Sequence, residues 1–533
     1  MLPIAALFPL ALFAVAIALP TARPAIGRLL WLAPLPALVA AILARGGHAE
    51  LGGPLALMLD DPGAMLLGGA ALLWLAAGLA AIGWWKERLA TLPYQAWWLL
   101  TLTGSVSVFM AANLVTFYLA FSLVSLAGYG LVTRDGDSAA LRAGRVYFAV
   151  AVGGEAFLLA GFVLLAVGAP SGSLAIADVV AALPASPVRE AALLFVLLGF
   201  AAKMGLVPLH VWMPVSYGAA PFPAAAVLSG AAVKAGVIGI IRFLPFATAL
   251  PGWGEALATV GFLSAFFGVA VGLTQRNPKA ILAYSSISQM GVIAAVAGMA
   301  LMAGRSVAPM EIAFYALHHL FAKGGLFLAL AAIALTGRRA LRPLLWPAAI
   351  IALGIAGLPF TGGALAKLAV KDALGSGLAG TLGSLSAAAS TLLMLHFIAQ
   401  ARQTAAADDA ARAPWTIVAA WWGTALAALA LPWLLYPTVG GSFAKAVELG
   451  ALVDLAWPML LGAVAYALAR RLQPWPALPP GDVLIVLRRG RTVASRLTDG
   501  IAAIEGRLTL WPVAGATLVL IAIAFAASML AAR

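Results

Sequence analysis

Long apolar runs, separated by short polar loops, fill almost the whole of this chain of 533 residues. A membrane-spanning helix needs about 20 apolar residues, and by that rule the runs predict about sixteen spans. The span at 95–111 is the least distinct, because only Ala112 and Asn113 separate it from the next run. The predicted spans are 1–20, 26–45, 63–85, 95–111, 113–132, 144–169, 189–215, 220–244, 254–273, 280–302, 310–335, 343–371, 375–399, 414–437, 450–469 and 508–531. The pattern therefore predicts an all-α polytopic membrane protein.

The composition agrees with this class. Hydrophobic residues make up 64% and charged residues 10% of the chain, whereas soluble domains have about 45–50% and about 25%. The chain contains no cysteine, which excludes disulfides, cysteine-ligated iron–sulfur clusters and cysteine zinc sites. A net charge of +13 would favour nucleic acid as the partner of a soluble protein, but in short membrane loops an excess of Arg and Lys sets topology. We therefore expect a lipid bilayer around the chain and no nucleic-acid partner.

Charged residues alternate between the loops. Acidic residues dominate the loop after the second span, and basic residues dominate the loops after most odd-numbered spans. Because cytoplasmic loops carry the excess of Lys and Arg, we expect the basic loops in the cytoplasm, the N-terminus outside and a bacterial inner membrane as the location. A basic cytoplasmic segment near 472–507 is either an amphipathic helix on the membrane surface or a solvated linker. The marker residues of this topology are Glu50, Asp60 and Asp61 outside and Arg88, Arg134 and Arg339 inside.

Two predicted spans contain a proline close to a lysine. In the seventh span Lys203 comes five residues before Pro208, and in the twelfth span Pro359 comes eight residues before Lys367. A proline inside a spanning helix is tolerated where protein or water satisfies the freed backbone groups, so both spans are predicted to be broken helices. Interrupted helices in corresponding positions of two halves are typical of transporters built from repeats. The recurrence predicts two copies of one transport unit.

Ionisable residues lie in the middle of several predicted spans. Glu155 is the one clear mid-span acid, against four lysines. His319 and Lys323 are four residues apart and share a helix face. Since one acid cannot pair all these bases and an unpaired buried charge costs many kcal/mol, the pattern favours a line of titratable groups that relays protons. The predicted relay consists of Glu155, Lys203, Lys234, His319, Lys323 and Lys367, and the auxiliary candidates are His210, His318 and Lys371.

Several of these residues have a plain structural alternative. Glu155 is also explained as a salt-bridge partner of Lys203. His210, beside the predicted break, is equally explained by a hydrogen bond to a freed carbonyl, His318 by packing, and Lys371 by snorkelling to the surface. The sequence has no phosphate-binding loop, no nucleophile motif and no metal-ligand spacing. We therefore expect no nucleotide, haem or metal cofactor.

Four stretches resemble one known family. The run KMGLVPLHVWMPVSYGAAPFPAAAVLSGAAVKAGVIGIIR is the most specific, and QRNPKAILAYSSISQMG, HHLFAKGGLFL and LPFTGGALAK follow it. They resemble the proton-conducting antiporter-like subunits of respiratory complex I, Mrp-type sodium/proton antiporters and membrane-bound group 4 hydrogenases, over roughly Gln95 to Leu374. The resemblance implies about fourteen core helices in two inverted repeats, broken seventh and twelfth helices, and a polar axis between two hydrated half-channels. We accordingly expect an antiporter-like transmembrane core over 1–400 and C-terminal extra helices over 401–533.

The resemblance also implies roles for single residues. Lys203 resembles the lysine of the family's seventh helix, and Lys234 resembles the lysine of its eighth. His319 with Lys323 looks like the relay pair of the eleventh helix. Lys367 looks like the exit lysine of the twelfth helix.

One position departs from the family pattern. Family members usually carry a glutamate on the fifth helix, paired with the lysine of the seventh, whereas this chain has Phe121 and Ser122 in the matching stretch FYLAFSLVSLAGYGLV. A serine cannot hold the charge, so we expect Glu155, on the sixth span, to be the carboxylate near Lys203. The substitution implies a divergent member of the family.

These expectations favour a proton-translocating membrane subunit of a larger complex I-like assembly, of the NADH/quinone or hydrogenase type. The energy has to come from a partner because the sequence shows no redox or nucleotide motif, so the expected partners are other membrane subunits, a soluble energy-supplying subunit, or both. Three alternatives stay open: a cation/proton antiporter subunit of the Mrp type, a membrane energy-coupling module for a soluble subunit such as one for inorganic-carbon uptake, and an assembly scaffold that has lost conduction.

Overall fold

A computed structural model describes residues 1–169, 172–472 and 478 of the chain. The predicted last span at 508–531 and the basic segment after residue 472 lie outside the described residues, apart from residue 478. The N-terminal part forms six helices and one hairpin. These elements are α1 (Leu2–Ala18), α2 (Arg23–Leu29), α3 (Leu35–Leu43), β1 (His48–Gly52), β2 (Leu55–Met58), α4 (Asp61–Trp85), α5 (Leu92–Ser107) and α6 (Leu114–Val132).

Helices make up most of the remaining described chain. The middle part contains α7 (Ser138–Gly168), α8 (Ile176–Ala182), α9 (Arg189–Met204), α10 (Trp212–Ala219), α11 (Phe222–Val227), α12 (Lys234–Phe243), α13 (Pro251–Gly272), α14 (Pro278–Ala303) and α15 (Ala308–Ala334). The last part contains α16 (Arg342–Ala356), α17 (Gly362–Ala369), α18 (Lys371–Leu374), α19 (Leu378–Ala401), α20 (Trp415–Leu435), α21 (Phe443–Ala446) and α22 (Leu449–Ala469).

The helices coincide with the predicted spans throughout the described chain. Each apolar run up to residue 469 is occupied by one helix or by successive helices. Among the described residues, eleven helical stretches are long and apolar enough to cross a membrane. Others are shorter than a span, since α1, α9 and α16 contain 17, 16 and 15 residues. The all-α membrane fold is confirmed, and the total number of spans stays a prediction.

Both predicted helix breaks are present. α9 ends at Gly205, whose φ of 70° is the left-handed conformation that favours glycine, and Pro208 follows before α10 begins. α16 ends at Gly357, with φ of 105°, and Pro359 follows before α17 begins. A Cβ atom at Gly357 would lie 2.7 Å from Cδ of Lys367. The second break therefore packs its backbone directly against a predicted site lysine.

A wider helical turn interrupts the eighth span just before Lys234. Between α11 and α12, residues 228–232 form a π-turn, in which the Val233 N–H donates to the Leu228 carbonyl at 3.2 Å. Such turns insert one extra residue and are frequent at functional sites. A Cβ atom at Gly230 would lie 2.9 Å from the carbonyl oxygen of Leu320, so the π-turn touches α15. The extra residue sets the direction in which Lys234 enters the interior.

The interior of the fold contains α12 and α15. The stretches Phe222–Phe243 and Ala308–Ala334 are completely buried over their most apolar windows. α15 packs against α4, α14, α16 and α20, and it also contacts α12. The predicted bases on these two helices therefore face protein rather than lipid.

The N-terminal helices carry an unpredicted β-hairpin and are joined to α12 by hydrogen bonds from Arg242, which we call the arginine clamp. β1 and β2 pair antiparallel, and Leu57 bridges to Ala111 at the junction of α5 and α6. Arg242, at the end of α12, donates to the carboxylate of Asp60 at 2.7 Å. It also donates to the carbonyls of Phe109 and Ala111 at 2.7 and 2.9 Å. The clamp fixes the helix that carries Lys234 against the N-terminal helices.

Candidate functional site

The predicted acid and the first predicted lysine meet where α7 packs on α9. A Cβ atom at Gly154 would lie 2.9 Å from Cβ of Ala202, so the two backbones are in close contact. Glu155 and Lys203 are the next residues, and they are buried, with 7% and 8% of their surface exposed. The carboxylate whose charge acts on Lys203 is that of Glu155. The structure therefore places both groups in one site.

The direct partner of Lys203 is a hydroxyl rather than this carboxylate. Its Nζ atom donates to Oγ of Ser125 on α6 at 2.8 Å, and it lies 5.5 Å from the ring centre of Phe121. Among the described residues, no N–O distance of 4.0 Å or less joins Lys203 to Glu155. Lys203 is thus held by a neutral acceptor with its counter-charge at longer range.

A small and mainly apolar cavity borders Lys203 and Ser125. Its volume of about 20 Å³ is enough for one water molecule. The Tyr147 hydroxyl donates to the Ser125 carbonyl at 2.7 Å, and the Trp212 indole N–H donates to the Ala202 carbonyl at 2.9 Å, so two fixed aromatic side chains form its walls. The cavity leaves room for one water molecule beside the hydrogen bond between Lys203 and Ser125.

The shortest contact between two predicted relay residues joins α12 to α15. Nζ of Lys234 lies 2.7 Å from Nδ1 of His319, and the two side chains are 0% and 1% exposed. A protonated lysine can only donate, whereas an imidazole nitrogen donates or accepts according to its tautomer. The contact is therefore made equally well with the proton on either nitrogen.

Lys323 extends this pair along α15. Its Nζ atom donates to the Leu282 carbonyl on α14 at 3.2 Å, and the charge of Lys234 acts on it. We call Lys234, His319 and Lys323 the central cluster. Within the described chain no carboxylate acts on any of the three. Because like charges repel strongly in a low-dielectric interior, the central cluster cannot hold a full charge on every base at once.

The central cluster also adjoins the Lys203 site. α12 packs on α9, and a Cβ atom at Gly236 would lie 3.3 Å from Cβ of Lys203. Gly236 comes two residues after Lys234 on the same helix. The two sites are therefore separated by one layer of side chains.

A hydrogen-bonded chain of neutral groups begins one turn from His319. The Tyr315 hydroxyl donates to Oε1 of Gln289 at 2.7 Å, and Nε2 of Gln289 donates to Oγ of Ser390 at 3.1 Å. All three side chains are buried. Because the hydroxyl proton of Tyr315 is engaged by Gln289, its oxygen lone pairs are left free to accept.

Lys367 lies on the wall of a cavity of about 390 Å³. We call this space the Lys367 cavity, and its lining includes Tyr315, Lys371, Ser384 and Asp454. Nζ of Lys371 and Oδ2 of Asp454 form an ion pair at 2.5 Å. The Lys367 cavity thus connects the neutral hydrogen-bonded chain to the exposed end of the broken twelfth span.

The two auxiliary histidines occupy different surroundings. His318 faces the broken twelfth span: its Nε2 atom lies 2.8 Å from the position of a Cβ atom at Gly363, and its charge is coupled to that of Lys367. His210 lies in the break of the seventh span, where its ring packs edge-on against Phe267 with 4.8 Å between ring centres. Only His318 therefore adjoins a lysine of the predicted relay in these contacts.

Sequence reasoning missed the neutral and peripheral members of the site. Ser125, Tyr315, Gln289 and Asp454 were not among the predicted residues. The run SSISQ at 285–289, inside an apolar span, was a signal that could have found Gln289. No comparable signal marks Tyr315, because a tyrosine in a spanning helix is usually explained by packing or by the interface. In the described residues no three potential ligands converge as a metal site.

Comparison with known proteins assigns this chain to a family. Residues 111–392, slightly more than half of the chain, match the family model described as NADH:quinone oxidoreductase/Mrp antiporter, TM. The chain belongs to this family. The resemblance found in the sequence is thereby confirmed.

Two curated relatives show the range of the family. Hydrogenase-4 component B of Escherichia coli (strain K12) is 34% identical over 245 residues, which cover 44% of this chain and 36% of the relative. NADH-quinone oxidoreductase subunit N of Deinococcus radiodurans is 30% identical over 360 residues, which cover 63% of this chain and 72% of the relative. The chain spans only about a third of the length of the first curated relatives that it matches.

Two solved structures share the fold. The chain of respiratory complex I from Thermus thermophilus with bound Aureothin has a TM-score of 0.64 and 26% identity, over 83% of this chain and all of that chain. The Mrp complex from Dietzia sp. DQ12-45-1b contains a chain with a TM-score of 0.70 and 22% identity, over 87% and 99%. The integral membrane fold of the family is therefore the fold of this protein.

Proposed function

We propose that this chain carries protons across a bacterial inner membrane, as one membrane subunit of a complex I-like assembly. The observation that carries the proposal is the 2.7 Å contact between Lys234 and His319, two buried bases close enough to share one proton. The relatives named hydrogenase-4 component B and NADH-quinone oxidoreductase subunit N support an assembly of this type. We place the N-terminus outside, because that puts the basic loops in the cytoplasm.

Proton transfer in the central cluster follows from repulsion between neighbouring bases. When the shared proton sits on Lys234, its N–H breaks as the Nδ1–H of His319 forms. A charge on Lys323 repels a charge on His319 as well as one on Lys234, so the pair gives up its proton more readily when Lys323 is charged. The proposed order runs from Glu155 and Lys203, through the central cluster, to Lys367.

The driving force is proposed to come from partner subunits. A conformational shift imposed by a partner would change the distance between Glu155 and Lys203, and thereby the charge that the next base experiences. We propose residues 1–400 as the conducting core and 401–533 as C-terminal helices with a basic cytoplasmic segment near 472–507. Other membrane subunits, a soluble energy-supplying subunit, or both would complete the assembly.

Substitution of Lys234 by Ala tests the proposal. In membrane vesicles from cells that express the chain with its native partners, proton uptake followed by a pH-sensitive dye is expected to fall about 100-fold, the scale of a lost proton-transfer group. The protein should remain inserted at the wild-type level. Lys445→Ala, a change at an exposed lysine, is the matched control and should conduct normally.

Two results would contradict the proposal. Undiminished proton uptake by Lys234→Ala would remove the central cluster from the path. Uptake that requires sodium in the wild type would instead favour a cation/proton antiporter, since the transported ion would then differ. Proton uptake by the wild type and by Lys234→Ala is measured in vesicles of the same kind, with and without sodium.

A further inference from the structure

The Lys367 cavity is bordered by a helix that lies outside the family match. The match ends at residue 392, whereas α22 begins at Leu449 and contributes Asp454, Trp457 and Pro458 to the cavity wall. Only 22% of the most apolar window of α22 is buried within this chain. A peripheral helix therefore forms part of the wall around Lys367, a half-buried lysine of the proposed relay.

One ion pair ties this peripheral helix to the core. Lys371, one turn after Lys367, contacts Asp454 of α22 at 2.5 Å, and the two side chains are 57% and 51% exposed. Among the described salt bridges it is the one that involves α22. Asp372 is the neighbour of Lys371 in the chain, and its charge acts on Glu311, which is paired with Arg305.

An exposed ion pair is strong enough to bias a position and weak enough to break. Pairs of this exposure contribute about 1 kcal/mol or less. Pro458 lies inside α22 and removes one backbone hydrogen bond next to the cavity, which permits the N-terminal end of the helix to bend. The wall can therefore move without unfolding the core.

We propose that Lys371 and Asp454 are positioning residues that hold α22 over the mouth of the Lys367 cavity and so set the access of water to Lys367. A role of this water access in proton transport rests on the function proposed above. The effect of α22 on how easily water enters the cavity does not depend on that function. When the pair forms, α22 narrows the mouth. The pair is formed in this structure, where Lys367 is half-buried; when the pair separates, the mouth widens and a proton can leave Lys367 more readily to the water of the cavity.

The cysteine-free chain permits a direct test in the assembled protein. Ser384→Cys reports from the cavity wall, where Ser384 is half-buried, and Ser376→Cys reports from the exposed loop at its edge. In the Ser384→Cys background, Asp454→Asn is expected to increase the rate of labelling by a water-soluble maleimide about five-fold, which corresponds to about 1 kcal/mol at 1.4 kcal/mol per ten-fold. Labelling of Ser376→Cys should not change.

Two further variants distinguish a specific effect of the Lys371–Asp454 pair on the cavity mouth from a general loss of packing in the protein. The charge exchange Lys371→Asp with Asp454→Lys rebuilds the pair and should return labelling of Ser384→Cys to the wild-type rate. Asp61→Asn breaks the similarly exposed pair between Arg45 and Asp61 and should leave labelling unchanged.

The outcomes are distinct from those for proton transport. If Asp454→Asn leaves the Ser384→Cys rate unchanged, or if the charge exchange labels as fast as the single variant, the proposed closure is wrong. If labelling changes as expected while proton uptake is absent in the wild type, the closure holds and the proposed function fails. The extent of labelling is measured by mass spectrometry on this chain after its purification from the assembly.

Discussion

Lys203 is held by a neutral hydroxyl, while its counter-charge stands on a different helix from the one implied by the family pattern. Ser125 accepts the hydrogen bond at 2.8 Å, and Glu155 acts on the lysine from α7. Ser122, at the family's acid position, borders the same carboxylate. The carboxylate that acts on Lys203 therefore comes from α7, and α6 contributes the hydroxyl of Ser125.

Moving the carboxylate from position 155 to position 122 tests whether proton transport needs a negative charge near Lys203, whichever helix carries it. Glu155→Gln keeps the side-chain shape and removes the charge, so proton uptake by native vesicles is expected to fall about 100-fold, the lower end of the range for a lost proton-transfer group. Adding Ser122→Glu to that variant should restore part of the uptake.

The control for this exchange is Glu255→Gln, a change at an exposed carboxylate, which should transport normally. Normal uptake by Glu155→Gln would show that Lys203 needs no counter-charge from α7, and the assembly-scaffold alternative would gain weight.

At the scale of single residues, the sequence predicted charged members of the site and overlooked neutral ones. A lysine in an apolar run is costly and must have a reason, so Lys234 and Lys367 stood out. Ser125 and Gln289 carry no comparable penalty, and their partners are 78 and 101 residues away along the chain. Pairings over such distances depend on helix packing, which a single sequence does not contain.

At the scale of elements, the helix breaks were predictable and the π-turn was not. Pro208 and Pro359 have a direct steric effect on a helix, and both breaks are where they were predicted. The residues of the π-turn, LSGAA, are compatible with an ordinary helix. Its conformation instead depends on the close approach of Gly230 to α15. The hairpin escaped prediction because β1 and β2 contain only five and four residues.

The arginine clamp belongs to this scale and carries a stability prediction. Arg242→Leu leaves Asp60 and several carbonyls without their donor. The side chain of Arg242 is 4% exposed and that of Asp60 is 30% exposed, so the loss is expected to be on the order of 3 kcal/mol. Thermal denaturation of the purified assembly should therefore occur at a clearly lower temperature.

The matched control for the clamp is Arg45→Leu, which breaks an exposed pair and should cost less than about 1 kcal/mol. Equal denaturation temperatures for the two variants would mean that the clamp does not hold α12 in place.

At the scale of the whole molecule, the apolar runs gave the fold class and the order of the helices, because span length and hydropathy are local properties. The apolar runs did not give the number of uninterrupted spans. Some helices beside a break are shorter than the length that a membrane-spanning helix needs. Which residues face each other across the interior became visible only in the folded chain.

The proposed topology is testable on the intact protein. Glu50→Cys should be labelled by an impermeant maleimide from outside intact cells, and Arg339→Cys only after the cells are opened, because basic loops stay in the cytoplasm. Both side chains are exposed, so burial does not limit the reaction. Labelling of Arg339→Cys in intact cells would reverse the assigned orientation.

The arginine clamp also has a consequence for the order in which the protein is built. Asp60 leaves the ribosome 182 residues before its partner Arg242. At about 5–20 residues per second, this interval lasts roughly 10–40 s. Throughout that time the nascent N-terminal helices are in the membrane without the bond that joins them to α12. The first third of the chain therefore cannot lock into its final packing until the lysine-bearing eighth span has been synthesised and inserted.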